Sequence, residues 1–126
     1  MEHIEISVVI PIFNEEKSVQ ALVQKLRETL RKTVKSFEII LVDDGSIDKT
    51  REILRTLPVR CFLLNRNYGQ FTAMATGIRK ARGEVIVTMD GDLENDPEDI
   101  LKFIAKLGEG FDVVSGWRKN RWEGEF

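Results

Sequence analysis

Asp90, Asp92 and Glu94 fall at alternate positions directly behind the short apolar run VIVTM. An apolar run that ends in acids reads as a buried strand delivering carboxylates to the rim of a sheet. Hard oxygen ligands gathered there suit Mg²⁺ or Mn²⁺, ions usually shared with the phosphates of a substrate. The plainer reading is an acidic turn that starts a helix, with Asp96 as its cap and Pro97 in the first helical position. What surrounds the segment decides between the two.

The elements that must position these acids alternate along the chain. Runs rich in β-branched residues occupy 6–12, 37–42, 60–64, 84–89 and 112–115. Between them lie helical stripes: Val19, Leu22, Val23, Leu26 and Leu30; Ile53, Leu54 and Leu57; Phe71, Met74, Ala75 and Ile78; Ile100, Leu101, Ile104 and Leu107. Each stripe is expected to pack into the core. Gly83 is expected to close the third helix, and Gly108 and Gly110 the fourth. Strand–helix alternation with continuously apolar strands predicts an α/β fold, a three-layer α/β/α sandwich of Rossmann-like type with a mostly parallel sheet.

Ligands of such folds bind outside the carboxyl ends of the strands. Behind the first run come Pro11, Asn14, Glu15 and Glu16; behind the second, Asp43, Asp44, Gly45, Ser46 and Asp48. Asn65, Arg66, Asn67 and Gly69 follow the third, and Arg118, Lys119 and Arg121 the fifth. Some of these residues have simple structural duties. Ser46 suits a cap of the second helix, with Asp48 in its first turn, and Glu16 complements the dipole of the first helix. Several carboxylates at one sheet edge nevertheless repel each other, which costs stability unless a cation or donor offsets them.

Composition narrows the classes. With 126 residues, 42% hydrophobic and 32% charged, the chain is one globular domain that can bury a sizeable core. A net charge of -2 provides no basic footprint, so no nucleic acid partner is expected. The single cysteine, Cys61, cannot form an internal disulfide and reads as a core thiol. The lone His3 lies in the amino-terminal tail, which argues against histidine acid–base chemistry. No apolar run approaches the roughly 18 residues of a membrane span, and the acidic start MEHIEISVVIP is unlike a signal peptide. A cytoplasmic location is the resulting expectation.

The blocks VVIPIFNEE, EIILVDDGSIDKT, NRNYGQFTAMATGIRKARGEVIVTMDGDLENDPEDI and DVVSGWRKNR, in this order, resemble the signature segments of family 2 glycosyltransferases with the GT-A fold. More narrowly they resemble the polyprenyl-phosphate sugar synthases, the group of dolichyl-phosphate mannose synthase and the undecaprenyl-phosphate glycosyltransferases. The resemblance implies that Pro11, Asn14 and Glu15 lie against the nucleoside. It gives Asp43 or Asp44 a contact with base or ribose, and Gln70 a part in shaping the donor pocket. Asp90 and Asp92 match the D-x-D that holds metal and diphosphate, with Glu94 a further metal ligand. Arg118 and Arg121 match basic residues facing the diphosphate or the acceptor phosphate.

The implied reaction is transfer of a sugar from a nucleotide-diphosphate donor to a polyprenyl phosphate, with Mg²⁺ or Mn²⁺ as cofactor and Asp92, Arg118 and Arg121 as the catalytic set. Family members continue beyond the point matching Phe126 with acceptor-binding and often membrane-associated segments. Residues 1–126 are therefore expected to be the nucleotide-sugar-binding part, binding donor rather than turning over. Apolar surface left uncovered would favour a homo-oligomer. Competing readings are a non-catalytic nucleotide-binding or assembly fragment, a sugar nucleotidyltransferase and a receiver-type phosphoacceptor domain. PIFNEE lacks the Gly-rich basic loop of the nucleotidyltransferase, and the acid pair follows the second strand rather than the first, as a receiver would need.

Overall fold

A computed structural model describes residues 3–91 and 96–114. Its frame is a parallel 4-stranded sheet of β1 (Ile6–Ile12), β2 (Phe37–Asp43), β3 (Arg60–Leu63) and β4 (Val85–Thr88), in the order β3-β2-β1-β4. The helices between and after them are α1 (Val19–Arg31), α2 (Thr50–Leu54), α3 (Gln70–Lys80) and α4 (Asp99–Gly108). The α/β/α sandwich read from the sequence is the fold observed.

β1 is buried along its whole length because it is central and covered on both faces. On one face Val8, Ile10, Ile12, Ile39 and Leu41 pack with Leu22, Leu26 and Leu30 of α1, Leu54 of α2 and Ile100 of α4. On the other, Val9, Ile40 and Val42 pack with Ala73 of α3. Each Val, Leu or Ile buried this way contributes roughly 1.5–3 kcal/mol. Register keeps the carboxyl ends level, with Ile12 beside Asp43 and Asp43 beside Leu63. The chain runs β1, β2, β3 in one direction and then returns to place β4 on the far side of β1. The carboxyl ends of β1 and β4 thus flank the topological switch point, where such sheets open a crevice.

Three sequence expectations need correction. α3 does not face the sheet with the Phe71, Met74, Ala75 and Ile78 stripe: Phe71, Ala75 and Ile78 are exposed, and Ala73 and Gly77 are the buried residues. Close approach explains the inversion. A Cβ at Gly77 would overlap Val9 Cγ1 and press on Val42 Cγ2 at 3.1 Å, so the helix seats on its smallest residues. Gly83 lies beyond the end of α3 and serves β1 instead, since a Cβ there would meet Ser7 N and Oγ at 2.7 Å. Residues 112–114 form no strand, and Ser115 of that expected run lies outside the described residues.

Other details hold. Asp96 Oδ1 accepts the Glu98 N–H over 3.0 Å and Asp96 O accepts the Asp99 N–H over 2.9 Å, so Asp96 caps the turn that leads into α4. Gly110, at φ 108°, closes the same helix, its N–H donating to Leu107 O. Cys61 is half-buried against the larger core cluster, where burial first and the Asp43 charge second push its thiol pKa up. Among the described residues no helix is long and apolar enough to cross a membrane.

Candidate functional site

The loop behind β1 turns sharply at Asn14, whose φ of 52° is left-handed and tolerable because the Asn side chain can bond locally. Here it does so across to the loop behind β2. Asn14 Oδ1 accepts the Ile47 N–H over 2.9 Å, and Asn14 N–H donates to Ser46 Oγ over 2.8 Å. Glu15 N–H donates to Thr50 Oγ1 over 2.9 Å, which adds a third stitch. Ser46 is therefore a loop-to-loop acceptor and not the cap of α2. Asp48 takes the cap duty, Oδ1 accepting the Thr50 N–H over 2.9 Å. Burial nudges Asp48 up, but the bonds from Thr50 and Glu16 outweigh it and hold the carboxyl below its ordinary range.

The adjacent acids of β2 part company. Asp43 is fully buried, with Oδ2 accepting Ser46 N–H over 3.0 Å and Arg51 Nε over 2.7 Å, while Oδ1 has no partner among the described residues. Arg51 also donates to Leu64 O, so this ion pair clamps α2 to the end of β3. Asp44 is 3% exposed and accepts both Tyr68 N–H (2.8 Å, Oδ1) and Gly69 N–H (3.0 Å, Oδ2). Gly45 supports that loop from below: its φ is +79°, and a Cβ would stand 2.5 Å from Arg66 C and Asn67 N.

Gly69 leads directly into α3, and Gln70 at the helix start reaches over to β4, Nε2 donating to Asp90 Oδ1 over 2.8 Å. Between these parts lies an open cleft of about 370 Å³ at the switch point. Pro11, Ile12, Phe13 and Glu15 form its β1 wall, Asp90 and Gly91 its β4 wall, and Asp44, Asn67, Gly69 and Gln70 the remaining side. Glu15 Oε2 accepts Ser18 Oγ over 2.6 Å, which turns this carboxylate toward the start of α1.

Of the residues expected at the site, Pro11, Glu15, Asp44, Gln70 and Asp90 meet around the cleft. Asn14 and Asp43 do not line it; both are bonded into the frame, Asn14 as an exposed residue and Asp43 as a buried one. Asp92, Glu94, Arg118, Lys119 and Arg121 lie outside the described residues. Among the described residues no group of three or more His, Cys, Asp or Glu side chains is gathered closely enough to hold a metal ion. Sequence reasoning passed over Phe13, which is 44% exposed on the cleft wall, and Gly91, where a Cβ would stand 2.5 Å from Ile12 Cδ1. The signal for Phe13 was an aromatic at the exposed end of an otherwise apolar strand, at the edge where ligands bind.

The cleft can take a flat ring against Phe13, hydroxyl groups against Glu15 and Asp44, and a cation or a cation-bound phosphate near Asp90. The chain is 42% identical to the undecaprenyl-phosphate 4-deoxy-4-formamido-L-arabinose transferase of Pseudomonas fluorescens, over 96% of this chain and 38% of that protein. It is 45% identical to the dodecaprenyl-phosphate galacturonate synthase of Rhizobium johnstonii, over 100% of this chain and 39% of that protein. It thus spans about two-fifths of the length of these relatives.

Among solved structures, glucosyl-3-phosphoglycerate synthase from Mycobacterium tuberculosis, in complex with Mn²⁺, UDP and phosphoglyceric acid, matches with a TM-score of 0.74 at 23% identity. That match covers 93% of this chain and 44% of the other. Staphylococcus aureus TarS 1-349 in complex with UDP-GlcNAc matches with a TM-score of 0.65 at 24% identity, over 92% of this chain and 38% of the other. Both share the fold. The sequence profile of Glycosyl transferase family 2 matches residues 7–125, nearly the whole chain, and the chain belongs to that family.

Proposed function

We propose that residues 1–126 are the donor-binding part of a glycosyltransferase that moves a sugar from a nucleotide diphosphate to a polyprenyl phosphate. The observation that carries this reading is the cleft at the β1/β4 switch point, where Phe13, Glu15, Asp44 and Asp90 converge. The relatives at 42% and 45% identity, both named for polyprenyl phosphates, support the acceptor class.

In this reading Phe13 offers its ring to the base, and Glu15 and Asp44 accept hydrogen bonds from base or ribose. Asp90 stands at the diphosphate. The carboxylate oxygens of Asp90, with Asp92 and Glu94 in the same segment, are hard donors, which fits Mg²⁺ or Mn²⁺. A divalent ion held there would neutralise charge on the departing nucleoside diphosphate. Arg118 and Arg121 hold the anionic donor and acceptor near each other, a positioning and electrostatic role. A phosphate acceptor, with a second pKa of about 6, is largely ionised near pH 7 and attacks the anomeric carbon without a strong base. A histidine base is therefore not required.

Calorimetric titration with UDP, GDP and their sugar conjugates, with and without Mn²⁺, tests the donor site. The expected result is Mn²⁺-dependent binding of one nucleotide, abolished in Asp90→Asn. Binding that is indifferent to both Mn²⁺ and Asp90, or no binding at all, removes the assignment.

A further inference from the structure

The two sides of the cleft are supported very differently. Gln70 stands on a fixed base, since Asp44 holds the Tyr68 and Gly69 N–H groups and Gly69 O accepts the Ala73 N–H over 3.1 Å. Asp90 follows β4, which pairs with β1 alone among the described residues; Met89 N–H donating to Val9 O over 3.2 Å is the last backbone bond before it. The 2.8 Å bond from Gln70 Nε2 to Asp90 Oδ1 ties the fixed side to the looser one. A carboxylate only accepts, so chemistry requires the amide nitrogen to face it.

We propose that Gln70 is a positioning residue for the cation: by occupying Asp90 Oδ1 it leaves Oδ2 as the oxygen presented to the cleft, so that Asp90 meets a divalent ion through one oxygen. This rests on the donor-site reading above. Among the described residues Oδ2 carries no hydrogen bond. A neutral amide suits the task, because it fixes the carboxylate without contributing a charge that would compete with the ion. A lysine here would pair with Asp90, and a glutamate would set a second carboxylate against it.

One-oxygen coordination has a consequence for ion choice. Mg²⁺-like ions demand near-octahedral geometry, whereas Ca²⁺ accepts bidentate carboxylates in flexible shells. Freeing Oδ1 should therefore harm Mn²⁺ binding more than Ca²⁺ binding. Partners that orient a ligating carboxylate are typically worth 10- to 100-fold in metal affinity, roughly the loss expected here.

The test is titration of the full chain with Mn²⁺ and separately with Ca²⁺, each with and without UDP and GDP, for wild type, Gln70→Ala and Gln70→Met. Gln70 is exposed, so neither change should disturb folding, and thermal melts check that. Both variants are expected to lose about 10- to 100-fold in Mn²⁺ affinity and clearly less for Ca²⁺. Unchanged Mn²⁺ affinity overturns the proposal, as does an equal loss for both ions, which would mark a merely structural bond. If wild type binds neither Mn²⁺ nor nucleotide, the donor-site reading fails first and takes this inference with it.

Discussion

Asp44→Asn isolates the load carried by one buried carboxylate. Asp44 accepts the N–H groups of both Tyr68 and Gly69, at 2.8 and 3.0 Å, and is 3% exposed. An Asn of the same shape has one acceptor oxygen and turns an NH₂ toward the second donor. One charge-assisted bond, worth about 1.5–3 kcal/mol, becomes a neutral bond worth about 0.5–1.5. The other is lost and leaves a part-buried N–H facing a donor, at about 1–3 kcal/mol. The sum is a destabilisation of about 2–4 kcal/mol, divided between the whole fold and local release of the 65–69 loop. Urea unfolding reads the global share as a lower midpoint at unchanged slope. Amide exchange at Tyr68 and Gly69 reads the local share, with about tenfold faster exchange for each 1.4 kcal/mol. A variant within about 0.5 kcal/mol of wild type, with both amides as protected as before, would refute the reasoning.

Two further perturbations probe the frame. Glu38 accepts from Ser7 Oγ at 2.6 Å, Arg82 N–H at 2.7 Å and Arg60 Nη1 at 2.7 Å. Burial pushes its carboxyl up, but these bonds outweigh it and hold the pKa below the ordinary 4.5. A depressed folded pKa stabilises at pH above the ordinary value and loses that contribution as pH falls through the folded one. Glu38→Gln should therefore cost about 1.5–3 kcal/mol in urea at pH 7, with the gap to wild type closing in acid below 4.5; a gap equally wide at both pH values contradicts the network. Gly77→Ala gains about 1 kcal/mol of helix propensity but forces a methyl into Val9 and Val42, an overpacking of roughly 1–3 kcal/mol. A lower melting temperature is expected, and a higher one would mean that α3 can lift off the sheet without cost.

The fold was legible wherever a strand or helix is buried by bulk. β1 carries the apolar run Val8–Ile12 because it is covered on both faces, and its bounds could be read directly. The orientation of α3 was not legible, because hydrophobic periodicity weighs large side chains while this helix packs by its smallest ones, Ala73 and Gly77. At the site, residue type and position behind a strand picked out Glu15, Asp44, Gln70 and Asp90, which the fold brings to one cleft. They could not separate Asp43 from Asp44. Adjacent residues at the end of a strand point to opposite faces, and which face opens on the cleft depends on the return of the chain to β4 beside β1. The bond made by Asn14 was not legible for a related reason: the Ile47 N–H that its side chain accepts is supplied by a loop distant in sequence.

The acids grouped at the carboxyl edge posed a problem of repulsion, and the hydrogen bonds show how far the chain itself resolves it. Asp43 is offset by the full charge of Arg51, and Asp44 by two backbone N–H groups. Glu15 has the Ser18 hydroxyl and lies ahead of α1, whose amino-terminal dipole favours a negative charge. Asp90 has only the neutral amide of Gln70 among the described residues, with no salt bridge there. Residual negative charge therefore concentrates at Asp90 on the β4 wall of the cleft, whereas Phe13 stands on the β1 wall and the other carboxylates are tied into the frame. That division is the electrostatic argument for placing the base at Phe13 and the cation with its diphosphate at Asp90. If the nucleotide bound the other way round, its phosphates would meet Glu15, and the Mn²⁺-dependent binding would be lost in Glu15→Gln and kept in Asp90→Asn.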